Sequence, residues 1–230
     1  MNYKTLLLDV DGTLLDFDAS AARSLEILFK ERGYPFDEKV FPLYTVINNG
    51  LWERYERGEI SRDRVLVDRF TIMFEQLGID ASGEAFEHAF RDQLEKNPIW
   101  MAGAEDLLKD LRTKYSLYIV TNGVASTQRK RLAATGLDTY VKDIFISEVI
   151  GAQKPQKAFF DYCFAHISPC GLSEVLLVGD SLSADILGAN RAGIAACWFN
   201  PKGKKNPGTA SPDFEIRDLS ELYDILADAE

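Results

Sequence analysis

The run Thr5-Leu6-Leu7-Leu8 leads directly into Asp9-Val10-Asp11-Gly12-Thr13, and this stretch constrains the fold more than any other. A continuous apolar run of this kind reads as a strand buried on both faces, as in a parallel sheet. Asp9 then falls at the carboxyl end of the strand, and Gly12 turns the chain away. In open α/β sheets, ligands bind outside the carboxyl ends of the strands. Residues two apart in an extended chain point to the same side, so Asp9 and Asp11 are expected to crowd one crevice. Like charges that close need a cation or a shared proton. Magnesium suits such a place, because it takes hard oxygen ligands and keeps water in its other positions. On these residues alone, a solvated strand end running into an Asp-Gly turn stays open as the alternative.

Composition narrows the function classes. The chain has 230 residues, enough for one large domain or a core with an inserted subdomain. A net charge of -10 argues against a nucleic acid polymer or an anionic membrane as partner, and an anionic substrate would need local positive charge. No apolar run approaches the ~18 residues of a membrane span. Met1 leads at once into the first strand, without a signal-peptide pattern. Cys163, Cys170 and Cys197 show no metal-binding spacing and read as core fillers, which suits a reducing, cytoplasmic compartment. The two histidines, His88 and His166, lie inside helical patterns, so neither a histidine-based hydrolase nor a zinc site is expected.

Between the first strand and about residue 98 only helical patterns occur. A helix over 19–32 is expected, started by Asp18 or Ser20 and closed by Gly33. A loop carrying Pro35 and Pro42 precedes helices over 44–56, 61–77 and 82–97. From there strand and helix alternate. Helix signals cover 106–114, 125–134, 157–165 and 184–191. Strand signals cover 117–121, 144–147, 175–178 and 195–199, and a loop covers 200–212. Asp218 or Ser220 starts a terminal helix. This alternation predicts an α/β fold, a Rossmann-like parallel sheet with helices on both faces. The core would comprise 1–16 and 99–230, with an all-helical insert over 17–98. The basic clusters 129–131 and 202–205 read as solvated faces.

The expected strand ends carry Asp9 and Asp11, Thr121-Asn122-Gly123, Lys154 in its loop, and Gly179-Asp180 with Asp185. This ordered set, over nearly the whole chain, resembles the haloacid dehalogenase-like hydrolases, a superfamily of aspartate-nucleophile phosphatases. The resemblance implies that Asp9 is the nucleophile and that Asp11 protonates the leaving oxygen and later activates water. It implies Mg2+ on Asp9, the backbone carbonyl of Asp11, and Asp180. Thr121, with Asn122 in the backbone turn that follows, and Lys154 would hold phosphate, with Thr13 and Asp185 in support. Read singly, Thr121 could be a strand end, Lys154 a surface lysine and Asp185 a helix cap. An acid at Asp11 separates phosphate chemistry from dehalogenation, because a leaving halide needs no proton.

By the same resemblance the helical insert is a cap that reads the leaving group. The segment 47–60, with Arg69-Phe70 and with Ser147-Glu148-Val149-Ile150-Gly151, is similar to the branch containing pyrimidine 5′-nucleotidases. Asn48, Asn49 and Trp52 are its candidate substrate contacts, although Trp52 and Tyr55 also fit a helical core stripe. The expectation is a phosphatase of small phosphorylated metabolites, with nucleoside 5′-monophosphates first. Sugar phosphates, phosphoglycolate or a β-phosphoglucomutase-like transfer stand as enzymatic alternatives, and a silent regulatory protein on the same fold as the non-enzymatic one. The sequence leaves the oligomeric state open.

Overall fold

The computed structural model describes residues 3–227. The chain separates into two compact units, cut between Asp16 and Phe17 and again between Ile99 and Trp100. Among the described residues the first unit is built on six strands: β1 (Thr5–Leu8), β2 (Ser116–Thr121), β3 (Asp143–Ile146), β4 (Val175–Gly179), β5 (Ala195–Phe199) and β6 (Phe214–Ile216). They form one sheet, all parallel, in the order β3-β2-β1-β4-β5-β6. The chain winds outward from β1 in one direction through β3, then in the other through β6. The switch of direction lies between β1 and β4, which is where sheets of this kind open a binding crevice.

The apolar run of β1 is buried because both faces of the sheet are covered. Leu6 and Leu8 pack with Leu117, Ile119, Leu176 and Val178 on one face. Leu7 packs with Tyr118, Val120, Leu177 and Trp198 on the other. The four helices of the second unit come next in the chain: α1 (Phe17–Arg32), α2 (Val40–Glu56), α3 (Arg62–Leu77) and α4 (Gly83–Lys96). Back in the sheet unit follow α5 (Ala104–Leu111), α6 (Ala125–Thr135), α7 (Ser147–Ile150), α8 (Lys157–His166), α9 (Leu187–Ala192) and α10 (Leu222–Ala227). Residues of α5, α6 and α10 complete the first apolar cluster, and residues of α8 and α9 the second. Each fully buried leucine of β1 contributes about 1.5–3 kcal/mol. Among the described residues, no helix is long and apolar enough to cross a membrane.

Several boundaries differ from the sequence reading. α1 starts at Phe17, so Asp18 falls in its first turn and Ser20 is buried inside it, accepting the Ile99 N–H. Pro42 lies in the first turn of α2 rather than in a loop; it needs no N–H there. α5 begins at Ala104, two residues early, behind the left-handed Gly103. Ser147 opens α7 instead of ending β3. The stretch over 184–191 begins as a π-helical turn, Leu182–Ile186, before α9. β6 has only three residues at the sheet edge, too short to leave a pattern. Of the two candidates near the terminal helix, Asp218 is the cap: it accepts from the Ser220 N–H and precedes a 3-10 turn over Leu219–Glu221.

In the helical unit an aromatic core of Phe29, Tyr44, Phe70, Phe74, Phe86 and Phe90 encloses a buried ion pair. Arg69 donates to both Glu87 oxygens at 2.8 Å, and to Asn48 at 2.9 Å and Tyr44 at 3.2 Å. Removing one partner of such a pair strands the other charge away from water. Glu87→Ala should therefore cost about 3–5 kcal/mol in urea unfolding; a loss below about 1 kcal/mol would contradict this reading of the core.

Cys163 and Cys197 are buried under the sheet faces, and burial pushes both thiols up to about 12. Only Cys170 is partly exposed. A thiol reagent at pH 8 should label Cys170 first, and the other two only after unfolding; rapid labelling of all three in the folded protein would contradict the packing.

Candidate active site

Strand register brings the acids together. Leu8 of β1 pairs with Ile119 of β2 and with Val178 of β4. The next residues along each strand therefore share one edge: Asp9, then Val120-Thr121, then Gly179-Asp180. The Asp9 N–H still donates to the Val178 carbonyl at 3.0 Å, which fixes where its side chain starts.

Lys154 enters this edge from the loop before α8. Its side chain is 2% exposed, and its ammonium spends its hydrogens on three acceptors. These are Asp9 Oδ1 at 2.6 Å, Asp185 Oδ1 at 2.6 Å and the Val120 carbonyl at 2.8 Å. Burial alone would lower its pKa, but the carboxylates of Asp185 and Asp9 outweigh burial and hold it above the ordinary lysine range. Asn122 fixes the lysine's backbone: its amide donates to the Lys154 carbonyl and accepts from the Lys154 N–H, both at 3.0 Å. The side chain of Asn122 is thus committed to placing Lys154, whereas the phosphate contact expected here was to the backbone turn after Thr121.

Asp9, Asp180 and Asp185 each offer an oxygen within 4.8 Å of the others'. Burial raises Asp9 well above the usual carboxylate range; Lys154 opposes this, and the charges of Asp185 and Asp180 reinforce it. Thr13 donates to Asp9 Oδ2 at 3.4 Å. Burial and the Asp185 charge push Asp180 up to about 7, against Lys204 and Lys154. Two glycines make this convergence possible. A Cβ on Gly12, where φ is +88°, would lie 2.8 Å from the Asp180 carboxyl carbon. A Cβ on Gly179 would collide with the Asp185 carboxyl group. Asp185 sits on the π-helical turn and accepts the Ser181 N–H, so it acts within the cluster as well as at a helix start.

The carboxyl group of Asp11 takes a different direction from the one its spacing suggested. It does not join the three-acid group; Arg131 donates to Oδ1 at 2.6 Å and Gln128 to Oδ2 at 2.8 Å. The crowding expected of Asp9 and Asp11 is relieved because α6 supplies Asp11 with its own partners. This also corrects the reading of the basic cluster over 129–131. Arg129 and Lys130 are exposed, but Arg131 is buried. Within 202–205, Lys204 is exposed and its ammonium lies 4.0 Å from Asp180. The Thr121 hydroxyl oxygen accepts from the Gly123 N–H at 3.1 Å and from Gln128 at 2.9 Å.

The remaining predicted residues belong to the helical unit, on α2. Asn48 is buried, with its oxygen held by Arg69 and Tyr44; Asn49 is exposed. Trp52 is half-buried and meets Tyr55 edge-on at 5.6 Å, while Tyr55 joins a small apolar cluster with Leu51 and Val65. Sequence reasoning missed Gln128 and Arg131. The available signal was their spacing of three on a helix that starts just beyond Thr121, which puts both on one face.

Comparison with known proteins follows the same lines. A family profile for haloacid dehalogenase-like hydrolases matches residues 3–193. HAD-hydrolase YfnB of Bacillus subtilis is 44% identical over 97% of this chain and 95% of its own length. Its crystal structure, described as bound to magnesium, superposes with a TM-score of 0.93 over 98% of this chain and 99% of that one. Pyrimidine 5′-nucleotidase PynA of Streptococcus pneumoniae is 37% identical over 98% of this chain and 96% of its own. Pyrimidine 5′-nucleotidase YjjG of Escherichia coli is 33% identical over 98% and 99%. With its sheet order, its converging acids and these matches, the chain belongs to the haloacid dehalogenase-like hydrolases.

Proposed function

We propose that this protein is a magnesium-dependent phosphatase of small phosphate monoesters, nucleoside 5′-monophosphates first, acting through an aspartyl-phosphate. The observation that carries this reading is the buried Lys154 held between Asp9 and Asp185, with Asp180 beside them. An ammonium in that place serves an anion brought against Asp9, in a chain whose net charge of -10 would otherwise repel it. The nucleotidase choice rests on the two pyrimidine 5′-nucleotidase relatives.

A divalent cation fits the donor set. With Asp11 set apart on Arg131, the carboxyl groups of Asp9, Asp180 and Asp185, once ionised, face the buried ammonium of Lys154 with an excess of two negative charges. Hard oxygens in that excess suit Mg2+, held by Asp9, Asp180 and the Asp11 carbonyl. When bound, the metal offsets charge on the transferring phosphoryl group.

The chain's own groups do the rest. A carboxylate oxygen of Asp9 forms a bond to phosphorus while the bond from phosphorus to the leaving oxygen breaks. Asp11 gives that oxygen its proton. Water then attacks phosphorus and passes a proton back to Asp11, and the bond from phosphorus to Asp9 breaks, releasing inorganic phosphate. The Thr121 hydroxyl donates to a phosphoryl oxygen through both displacements, and Lys154, whose three hydrogens stay on Asp9, Asp185 and Val120, stabilises the phosphoryl group through its nearby positive charge. Thr13 and Asp185 keep Asp9 and Lys154 in place.

Asp9→Asn should abolish turnover of nucleoside monophosphates and of a sugar-phosphate panel while circular dichroism and melting temperature stay near those of the parent. Activity within tenfold of the parent would refute the nucleophile assignment. A preference for sugar phosphates would refute only the substrate choice.

A proton and a cation compete for Asp180, whose carboxyl is pushed up to about 7. The half-saturating Mg2+ concentration, measured by calorimetry, should rise as pH falls below about 7 and be flat above it. Without metal, the folded protein keeps that proton while the unfolded chain has already lost it. The cation-free protein should therefore lose stability as pH rises from about 4 to about 7, a slope that Asp180→Asn reduces. Mg2+ affinity that does not change over this range would contradict the assignment of Asp180.

A further inference from the structure

Gln128 stands between the two groups that must act together on an ester. Its side-chain amide has two N–H donors, and each has a separate acceptor: Asp11 Oδ2 at 2.8 Å and Thr121 Oγ1 at 2.9 Å. Its oxygen accepts from Arg131 Nη1 at 2.8 Å. The amide orientation follows from chemistry, because the opposite one would set an oxygen against a carboxylate and a nitrogen against a guanidinium. Arg131 in turn reaches Asp11 Oδ1 at 2.6 Å, so both oxygens of that carboxyl group are held from α6. Both side chains are buried, at 1% and 2% exposure, and Gly123 leaves space for the Gln128 stem, since a Cβ there would lie 2.7 Å from Gln128 Cγ.

The same contacts set the Thr121 hydroxyl. Its oxygen accepts from Gly123 and from Gln128, which uses both lone pairs. Its own hydrogen then remains as a donor, and among the described residues no protein acceptor takes it. A hydroxyl fixed in this way presents a donor to an anion rather than a lone pair.

We infer that Gln128 and Arg131 are a positioning pair for this site: Arg131 and Gln128 together aim the Asp11 carboxyl group, and Gln128 also fixes Thr121 as a donor to phosphate. The inference rests on Asp11 being the acid–base group of the proposed phosphatase. Neither residue touches the reacting atoms. Their effect is that the group which hands a proton to the leaving oxygen and the group which holds the phosphoryl oxygen keep one spacing.

Leaving-group dependence separates this from a packing role. An alkyl phosphate such as a nucleoside monophosphate needs a proton on its departing oxygen, whereas p-nitrophenyl phosphate departs as a stable phenolate. Arg131→Met and Gln128→Leu should lower kcat on the nucleoside monophosphate about 10- to 100-fold, and on p-nitrophenyl phosphate by less than about threefold. Asp11→Asn should show the same contrast more strongly. Gln128→Leu should also weaken inhibition by inorganic phosphate, while Arg131→Met leaves it within about twofold, because Gln128 is the member of the pair that hydrogen-bonds Thr121. Arg131→Lys, which keeps the charge, should recover part of the loss. Melting temperatures report whether each variant is folded; if Arg131→Met does not fold, Gln128→Leu and Arg131→Lys carry the test. Equal losses on both substrates, or none on either, with Asp11→Asn still selective would overturn the positioning role alone. An Asp11→Asn variant without that selectivity would overturn the acid–base assignment, and the inference with it.

Discussion

One ammonium group organises the sheet edge. Lys154 is buried, and burying a charge is costly unless it is paired and fully hydrogen-bonded. Asp9, Asp185 and the Val120 carbonyl meet that requirement with all three of its hydrogens. The arrangement fixes two carboxylates in turn, one on the strand that starts the sheet and one on the turn after β4. Asn122 closes the set by gripping the Lys154 backbone from both sides. A contact spanning β1, β2, the loop before α8 and the turn after β4 ties together segments far apart in sequence. Burial, reinforced by the neighbouring carboxylates, raises Asp9 and Asp180 above their usual range.

The parallel sheet explains why these groups meet at all. All the strands run the same way, so residues that leave β1, β2 and β4 emerge on one edge whatever the length of the intervening connection. Glycines then decide how closely the emerging side chains approach. Gly12 turns with positive φ against Asp180, and Gly179 leaves the space that Asp185 occupies. A methyl group at either position would press on a carboxyl group of the cluster.

The sequence made most of this visible, for a physical reason. Strands buried on both faces are continuous apolar runs, and Leu6 to Leu8, Leu117 to Val120 and Val175 to Val178 stand out without any alignment. Their carboxyl ends are where ligands bind, so position alone put Asp9, Thr121 and Asp180 at one edge, and the family resemblance supplied their expected roles. The edge strand β6 was lost because three residues carry no periodicity. Gln128 and Arg131 were lost for a different reason. In Arg129-Lys130-Arg131 the charges look alike in one dimension, and only the turn of α6 sends Arg131 inward while its neighbours face water. Asp11 illustrates the same limit: alternation along a strand fixes the side from which a carboxyl group leaves, but a buried guanidinium decides where it ends.

In the proposed function, acids from separate strand ends share one cation beside Lys154. A crystal structure of the protein soaked with Mn2+, with anomalous scattering to locate the ion, tests it most directly. A single strong peak is expected at about 2.0–2.3 Å from carboxylate oxygens of both Asp9 and Asp180. An ion bound away from these two side chains, or no ion at the sheet edge at saturating Mn2+, would contradict it.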